Sequence, residues 1–285
     1  MGDALTLQAN RTGIGAWEPF WLGDPGRQLY ASLHRSAIAG PRLGVLFAAP
    51  LFHEQPRSRR LLAEMASGFA AMGLPSLRFD FFGTGDSGGD SDQADFTSMC
   101  ADLTLAAQAL RAQAQVQRIV VFAWRAAALP VARWIGEGGD PDLVVLWEPI
   151  IDGASWLAEL QRADAAERNS ASRYRPDHAG AVPADERQLM GLAVSPRLLS
   201  DIAGARLSGH APTHAPTQGA RYWAVLRPVQ SSPQQKPELA LQRVFDLPVD
   251  SPDLGSGLRM DSGLFVGPSL KRTAEELAWA LLEEG

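Results

Sequence analysis

The sequence is poor in the features that would place a chain outside a reducing compartment or inside a membrane. Its single cysteine, Cys100, excludes an internal disulfide and suits a reducing environment. No apolar run approaches the ~18 residues needed to cross a bilayer. The opening MGDALTLQANRTG has neither the basic segment nor the apolar one of a secretory leader. Positive charge is also short: 26 Lys and Arg face 32 Asp and Glu, and the net charge of −6 argues against a nucleic-acid surface. These absences predict a cytoplasmic protein with no membrane and no nucleic-acid partner, and leave its oligomeric state open.

What is present is an alternation of apolar runs and helical patterns. "FWLGDPGRQLYASLHR" holds two strand-like runs around the turn signal Asp24-Pro25-Gly26 and predicts a hairpin. "RLGVLFAAP" and "LPSLRFDFF" have the length and apolarity of buried strands, and the helical spacing of Leu61, Leu62, Met65, Phe69 and Met72 lies between them. A Gly/Asp/Ser loop follows, then a helical stretch from Asp95 to Ala114, the strand 118–122, a helix to about Ile135 and the strand "DLVVLWEP". A hairpin followed by strand and helix in alternation predicts an α/β fold, a mostly parallel sheet with helices on both faces. Residues 153–218 break the alternation and read as a helical cap insertion ending in the linker "SGHAPTHAPTQG". The expected core is 1–152 with 219–285, where "ARYWAVLRPV" resumes the sheet and "LKRTAEELAWALLEEG" closes the chain as an amphipathic helix.

The order of elements, with D-x-x-G-x-G-D-S at Asp80–Ser87, is similar to the α/β-hydrolase fold and its serine aminopeptidase-like branch. Several segments resemble more narrowly the hydrolases associated with the exosortase A system, second type: "APLFHEQPRSRR", "DFFGTGDSGGD", "FAWRAAAL", "VVLWEPIIDGASWLAEL" and "LMGLAVSPRLLSDI". The resemblance covers about residues 17–205. It implies a nucleophile elbow at 123–127, where G-x-S-x-G is replaced by Ala-Trp-Arg-Ala-Ala, and it makes Arg125 a family feature. It further implies a hydrolase-like or acyl-transfer role on an ester or thioester, in an exopolysaccharide-linked context.

The residues themselves argue against ordinary acyl transfer. A guanidinium stays protonated at neutral pH, so Arg125 is neither nucleophile nor base. No His precedes the last helix, and "RPVQSSP", where the acid should stand, has no carboxylate. Asp152 is a candidate displaced carboxylate, and His53, in the loop that supplies an oxyanion donor in the fold, is the candidate facing Arg125. Phe52, Trp124 and Ala126, adjacent in sequence, are the expected ligand contacts.

Two readings stay open. One is an enzyme with a nonstandard site of His53, Arg125 and Asp152. The other is a catalytically inactive protein that binds an anionic or acyl small molecule, or serves as a scaffold, with Arg125 either facing that ligand or paired to a nearby carboxylate. Other signals are weaker. Gly83, Gly85 and Gly88 match a dinucleotide-binding spacing, but Asp86 and Asp90 would repel a pyrophosphate. His53-Glu54 lacks the second histidine of a zinc motif. Neither a cofactor nor a metal is expected. Arg57, Arg59 and Arg60 open a helix against its dipole, which predicts an anionic partner or a carboxylate from the Asp80 loop.

Overall fold

The computed structural model describes residues 17–38, 42–170, 187–207, 221–228, 239–255 and 266–284. The linker 208–219 and most of the stretch before the last helix, 256–265, lie outside the described residues.

β1 (Trp17–Leu22) and β2 (Leu29–His34) form the predicted hairpin. Then come β3 (Leu43–Ala48), α1 (Glu54–Ala71), β4 (Ser76–Phe79), α2 (Phe96–Ala114), β5 (Arg118–Trp124), α3 (Ala128–Gly136) and β6 (Leu143–Trp147). After α4 (Gly153–Arg168), β7 (Gln188–Leu189), β8 (Leu192–Ala193) and α5 (Pro196–Gly204), the sheet resumes with β9 (Arg221–Leu226) and β10 (Leu241–Asp246), and α6 (Pro268–Glu284) follows. The eight main strands run in the order β1-β2-β4-β3-β5-β6-β9-β10, parallel from β4 to β10 and antiparallel at β2.

The period-2 geometry of a strand splits the core into two layers. Along β5, Ile119, Val121 and Ala123 enter the layer shared with α2 and α3, while Val120, Phe122 and Trp124 enter the layer shared with α1 and α6. Helices therefore cover both faces, and the carboxyl ends of the parallel strands converge on one edge, where ligands bind in open α/β sheets.

Among the described residues, the stretch from 153 to 207 adds no strand to the main sheet. Besides α4 and α5 it contains the small antiparallel hairpin β7–β8, turned by Met190 (φ 54°) and Gly191 (φ 81°). The expectation of a mostly helical cap did not include this hairpin, since two-residue strands fall below any periodic window. Asp152 caps α4, accepting from Ser155 N–H at 2.7 Å. α5 is tied down on α2 and α3: Asp201 accepts from Phe96 N–H at 2.9 Å and pairs with Arg133 at 3.2 Å. β10 also exceeds the sequence reading. It is an edge strand with mostly exposed side chains, so it carries little hydrophobic signal. Among the described residues, no helix is long and apolar enough to cross a membrane.

Candidate functional site

Three non-glycine residues with left-handed backbone stand just past the carboxyl ends of adjacent parallel strands: Phe52 after β3 (φ 53°), Arg125 after β5 (φ 52°) and Glu148 after β6 (φ 42°). Each costs about 1–2 kcal/mol relative to a relaxed backbone, and such strain clusters at functional sites. At Arg125 the chain passes from strand through a tight turn (Arg125–Ala127) into α3, which is the elbow geometry predicted from sequence. The neighbouring Ala123, Ala126 and Ala127 are all fully buried, and their small side chains let the turn close.

The Arg125 side chain lines a cavity of 270 Å³ beneath α4, together with His53, Glu54, Trp156 and Glu159. Its fork is already engaged. Nε donates to one oxygen of Glu54 at 3.2 Å and Nη2 to the other at 3.3 Å, while Nη1 donates to the Glu148 carbonyl at 3.3 Å. Glu54 is sealed and Arg125 largely buried, with side-chain exposures of 1% and 13%. Burial raises the Glu54 carboxyl above its usual range, and Arg125 opposes that shift. Burial works against the Arg125 charge, but Glu54, Glu148 and Asp253 together outweigh it and raise its pKa. Of the alternatives left open by the sequence, the nearby carboxylate is the one the structure contains.

A second buried pair sits beside the first. Arg227, just past β9, donates through Nε to Glu148 and through Nη2 to the Pro252 carbonyl, the latter at 2.8 Å. Arg57 of α1 donates to the Leu254 carbonyl at 2.9 Å. The chain after β10 is thus clamped over the elbow. A Cβ on Gly255 would lie 2.5 Å from Nη2 of Arg125, so a side chain here would displace the guanidinium from its present place. The expected place of the basic histidine, shortly before the last helix, falls largely in 256–265, outside the described residues.

His53 faces the same cavity and is 9% exposed. Burial first, then the Arg57 and Arg125 charges, lower its pKa to about 4, so the ring is neutral at pH 7. Its Nδ1 is buried with no hydrogen-bond partner among the described residues.

The structure does not bring Asp152 to this pair. Its carboxylate caps α4 and pairs with Arg206 at 3.1 Å. The Ser155 N–H lowers its pKa, as a cap should. Two expected ligand contacts also need correction. Trp124 is fully buried and stacks on Trp147, ring centroids 4.4 Å apart, because the alternation of β5 turns it into the α1/α6 layer. Ala126 is fully buried in the opposite layer. Phe52 does line a cavity: a 300 Å³ largely apolar slot with Leu51, Phe81, Met99 and Leu198, whose lining also includes Gln55 and Ser87. Its ring lies 5.7 Å from that of Trp156, so the slot and the Arg125 cavity adjoin at this aromatic pair.

The Asp80 loop is held in place by its polar contacts. Asp80 accepts from Gln55 Nε2 and Asp86 N–H, both at 2.9 Å, and pairs with Arg59 at 3.4 Å, the carboxylate partner predicted for the arginine run. Gly85 has φ 57°, and its Cβ would overlap the Asp80 carboxylate, which explains the glycine without a dinucleotide. The Ser87 hydroxyl donates to the Asp80 carbonyl at 2.6 Å and accepts from Tyr30 N–H at 2.9 Å, so it is no free nucleophile.

Among the described residues, one Ser–His contact is present, His34 Nδ1 to Ser67 Oγ at 3.0 Å, at the opposite edge of the sheet. Arg78 Nε donates to His34 Nε2 at 3.1 Å, which leaves the ring proton on Nδ1. His34 therefore donates to Ser67 and cannot take its proton. Sequence reasoning missed Glu54 and Glu148. The one available signal was Glu54 lying beside His53 at the start of a helix that also carries arginines.

Comparison with protein-family models gives no match, and comparison with curated proteins gives none either. Solved structures do match. Est1E from Butyrivibrio proteoclasticus with ferulic acid bound aligns with a TM-score of 0.57 at 15% identity, over 93% of this chain and 98% of that one. A hypothetical protein from Pseudomonas aeruginosa aligns at 0.57 and 13%, over 100% and 99%. DcsB in complex with its substrate analogue aligns at 0.57 and 12%, over 94% and 99%. At such identities the likeness establishes the fold alone: this chain has the α/β-hydrolase architecture.

Proposed function

We propose that the chain is a pseudo-hydrolase: it keeps the hydrolase elbow and cap but performs no Ser-His-Asp acyl transfer, and it holds a small acyl ligand in the apolar slot lined by Phe52. The observation that carries this reading is the Arg125–Glu54 ion pair. A nucleophile position filled by a guanidinium has no lone pair to attack with, and the buried carboxylate beside it keeps it charged. Neutral His53 has no serine partner among the described residues. The anionic-ligand alternative loses its main support, because the fork that would grip a carboxylate already grips Glu54. The enzymatic alternative would need His53, Arg125 and Asp152 to act together, and Asp152 is spent on capping α4.

The domain division we propose is a cap of residues 153–218 inserted between 1–152 and 219–285. The exopolysaccharide context is proposed from the resemblance of the quoted segments to the exosortase-associated hydrolases. Purified protein is expected to turn over p-nitrophenyl acetate and butyrate no faster than buffer, and Arg125→Ser is expected not to change this, since no base is supplied. Turnover above buffer that Ser87→Ala abolishes would overturn the reading.

A further inference from the structure

Among the described residues that line the slot beside Phe52, none carries a charge. Its polar side chains are few, and three of them serve the wall itself. Gln55 Nε2 donates to Asp80 at 2.9 Å, and the Thr84 hydroxyl donates to the Phe81 carbonyl at 2.8 Å. The Ser87 hydroxyl donates to the Asp80 carbonyl at 2.6 Å. These are donors of the kind a bound carboxylate would need, and they are engaged elsewhere.

The charge behind the wall also disfavours an anion. Asp80 stands directly behind Gly85, since a Cβ on that glycine would overlap its carboxylate. Arg59 offsets this charge by pairing with Asp80 and Asp86, but it does not line the slot. A carboxylate entering here would leave water and meet no cation in the lining. An ester, thioester or amide carbonyl brings no such penalty, and its acyl chain gains from contact with Phe52, Phe81 and Met99. At the other end, Leu192 and Ala193 of β8 line the slot and are exposed. The slot therefore opens to water at the hairpin, where an alcohol, thiol or amine portion would project.

We propose that the slot admits an acyl group only in uncharged, conjugated form, as an ester, thioester or amide, and turns away the free acid. This inference rests on the reading of the slot as an acyl site. In a reaction sequence, the ligand is then the product of acyl transfer onto an alcohol, thiol or amine. It is not the acid that hydrolysis releases.

The test is calorimetric titration of the full chain with methyl hexanoate and with hexanoate. At pH 7 the ester is expected to bind at least about tenfold more tightly than the acid. Hexanoate affinity should rise at least about tenfold between pH 7 and pH 5, as a larger share of the acid is protonated. The ester cannot titrate, so it should bind equally at both values and controls for Asp80, Asp86 and Arg59 behind the wall. Ala193→Trp and Ser91→Trp, which narrow the slot from its lining, should each weaken the ester at least about fivefold with the unfolding midpoint near that of the parent. No binding of either probe would sink the acyl reading of the slot and this proposal with it. Hexanoate binding as tightly as the ester at pH 7 would leave the acyl reading standing and overturn the proposal alone. Ester binding undiminished in both variants would place it outside the slot and overturn the proposal as well.

Discussion

Replacing Glu54 with alanine is expected to destabilise the protein by about 3–5 kcal/mol, the cost of leaving one member of a buried ion pair without its partner. Arg125 would then sit almost sealed from water, with a charge it cannot shed, since a guanidinium does not deprotonate in the accessible pH range. The reciprocal change should cost less. In Arg125→Ala, Glu54 can neutralise itself by binding a proton, because burial already raises its pKa. That asymmetry has a pH signature. A carboxyl whose folded pKa lies above its unfolded one stabilises the fold at low pH and loses that contribution as pH rises through the folded value. Arg125→Ala should therefore unfold more readily at pH 8 than at pH 5 relative to the parent. The double replacement Glu54→Leu with Arg125→Met should recover most of the loss, because a buried pair replaced by apolar groups of similar size is often neutral. Urea unfolding of the four proteins checks this. A Glu54→Ala loss below about 1 kcal/mol would mean that the pair is not buried as described.

Trp124→Ala is expected to cost a similar amount, about 3–5 kcal/mol, but for a different reason. The residue sits next to Arg125 in sequence, so a binding role is a natural first reading. Its ring instead lies in the layer under α1 and α6, stacked on Trp147 with an interplanar angle of 16°. Removing it opens a cavity between β5 and β6 that neighbouring side chains fill only in part. Ligand affinity at the cap side should stay within about twofold, since the ring faces away from both voids. Trp124→Phe should lose less, because it also removes an indole N–H that has no partner among the described residues. Unfolding midpoints paired with calorimetry separate the two roles. A stable Trp124→Ala protein with lost binding would restore the residue to the site.

The sheet and the elbow were legible because both rest on local signals. "RLGVLFAAP", "RIVVFAW" and "DLVVLWEP" are apolar runs of strand length, and each became a central strand. Arg125 could be placed at a strained turn because small residues flank it on both sides of a strand-to-helix junction. The misplacement of Trp124 was avoidable: Val120 and Phe122 share its parity on β5, and period 2 assigns all three to one face.

Glu54 was not avoidable in the same way. A glutamate on a helix is ordinarily a solvated residue, and only the approach of β5 to the start of α1 turns it into a sealed counter-charge 71 positions away from Arg125. Asp152 failed for the opposite reason. Its position after β6 suggested catalysis, while three residues further on the Ser155 N–H offered it the commoner task of a helix cap. β10 was hidden because an edge strand with a solvated surface has no apolar run to announce it.

Intact-protein mass spectrometry after incubation with a fluorophosphonate tests most directly whether the elbow has lost its nucleophile. The reagent adds irreversibly to a serine that a neighbouring base has activated, and it needs no knowledge of the substrate. The expected spectrum after prolonged incubation is that of the unmodified chain, for the parent and for Arg125→Ser alike. A stoichiometric adduct on any serine of the parent, removed by prior denaturation, would contradict the proposal that this fold, with Arg125 at its elbow, performs no acyl transfer.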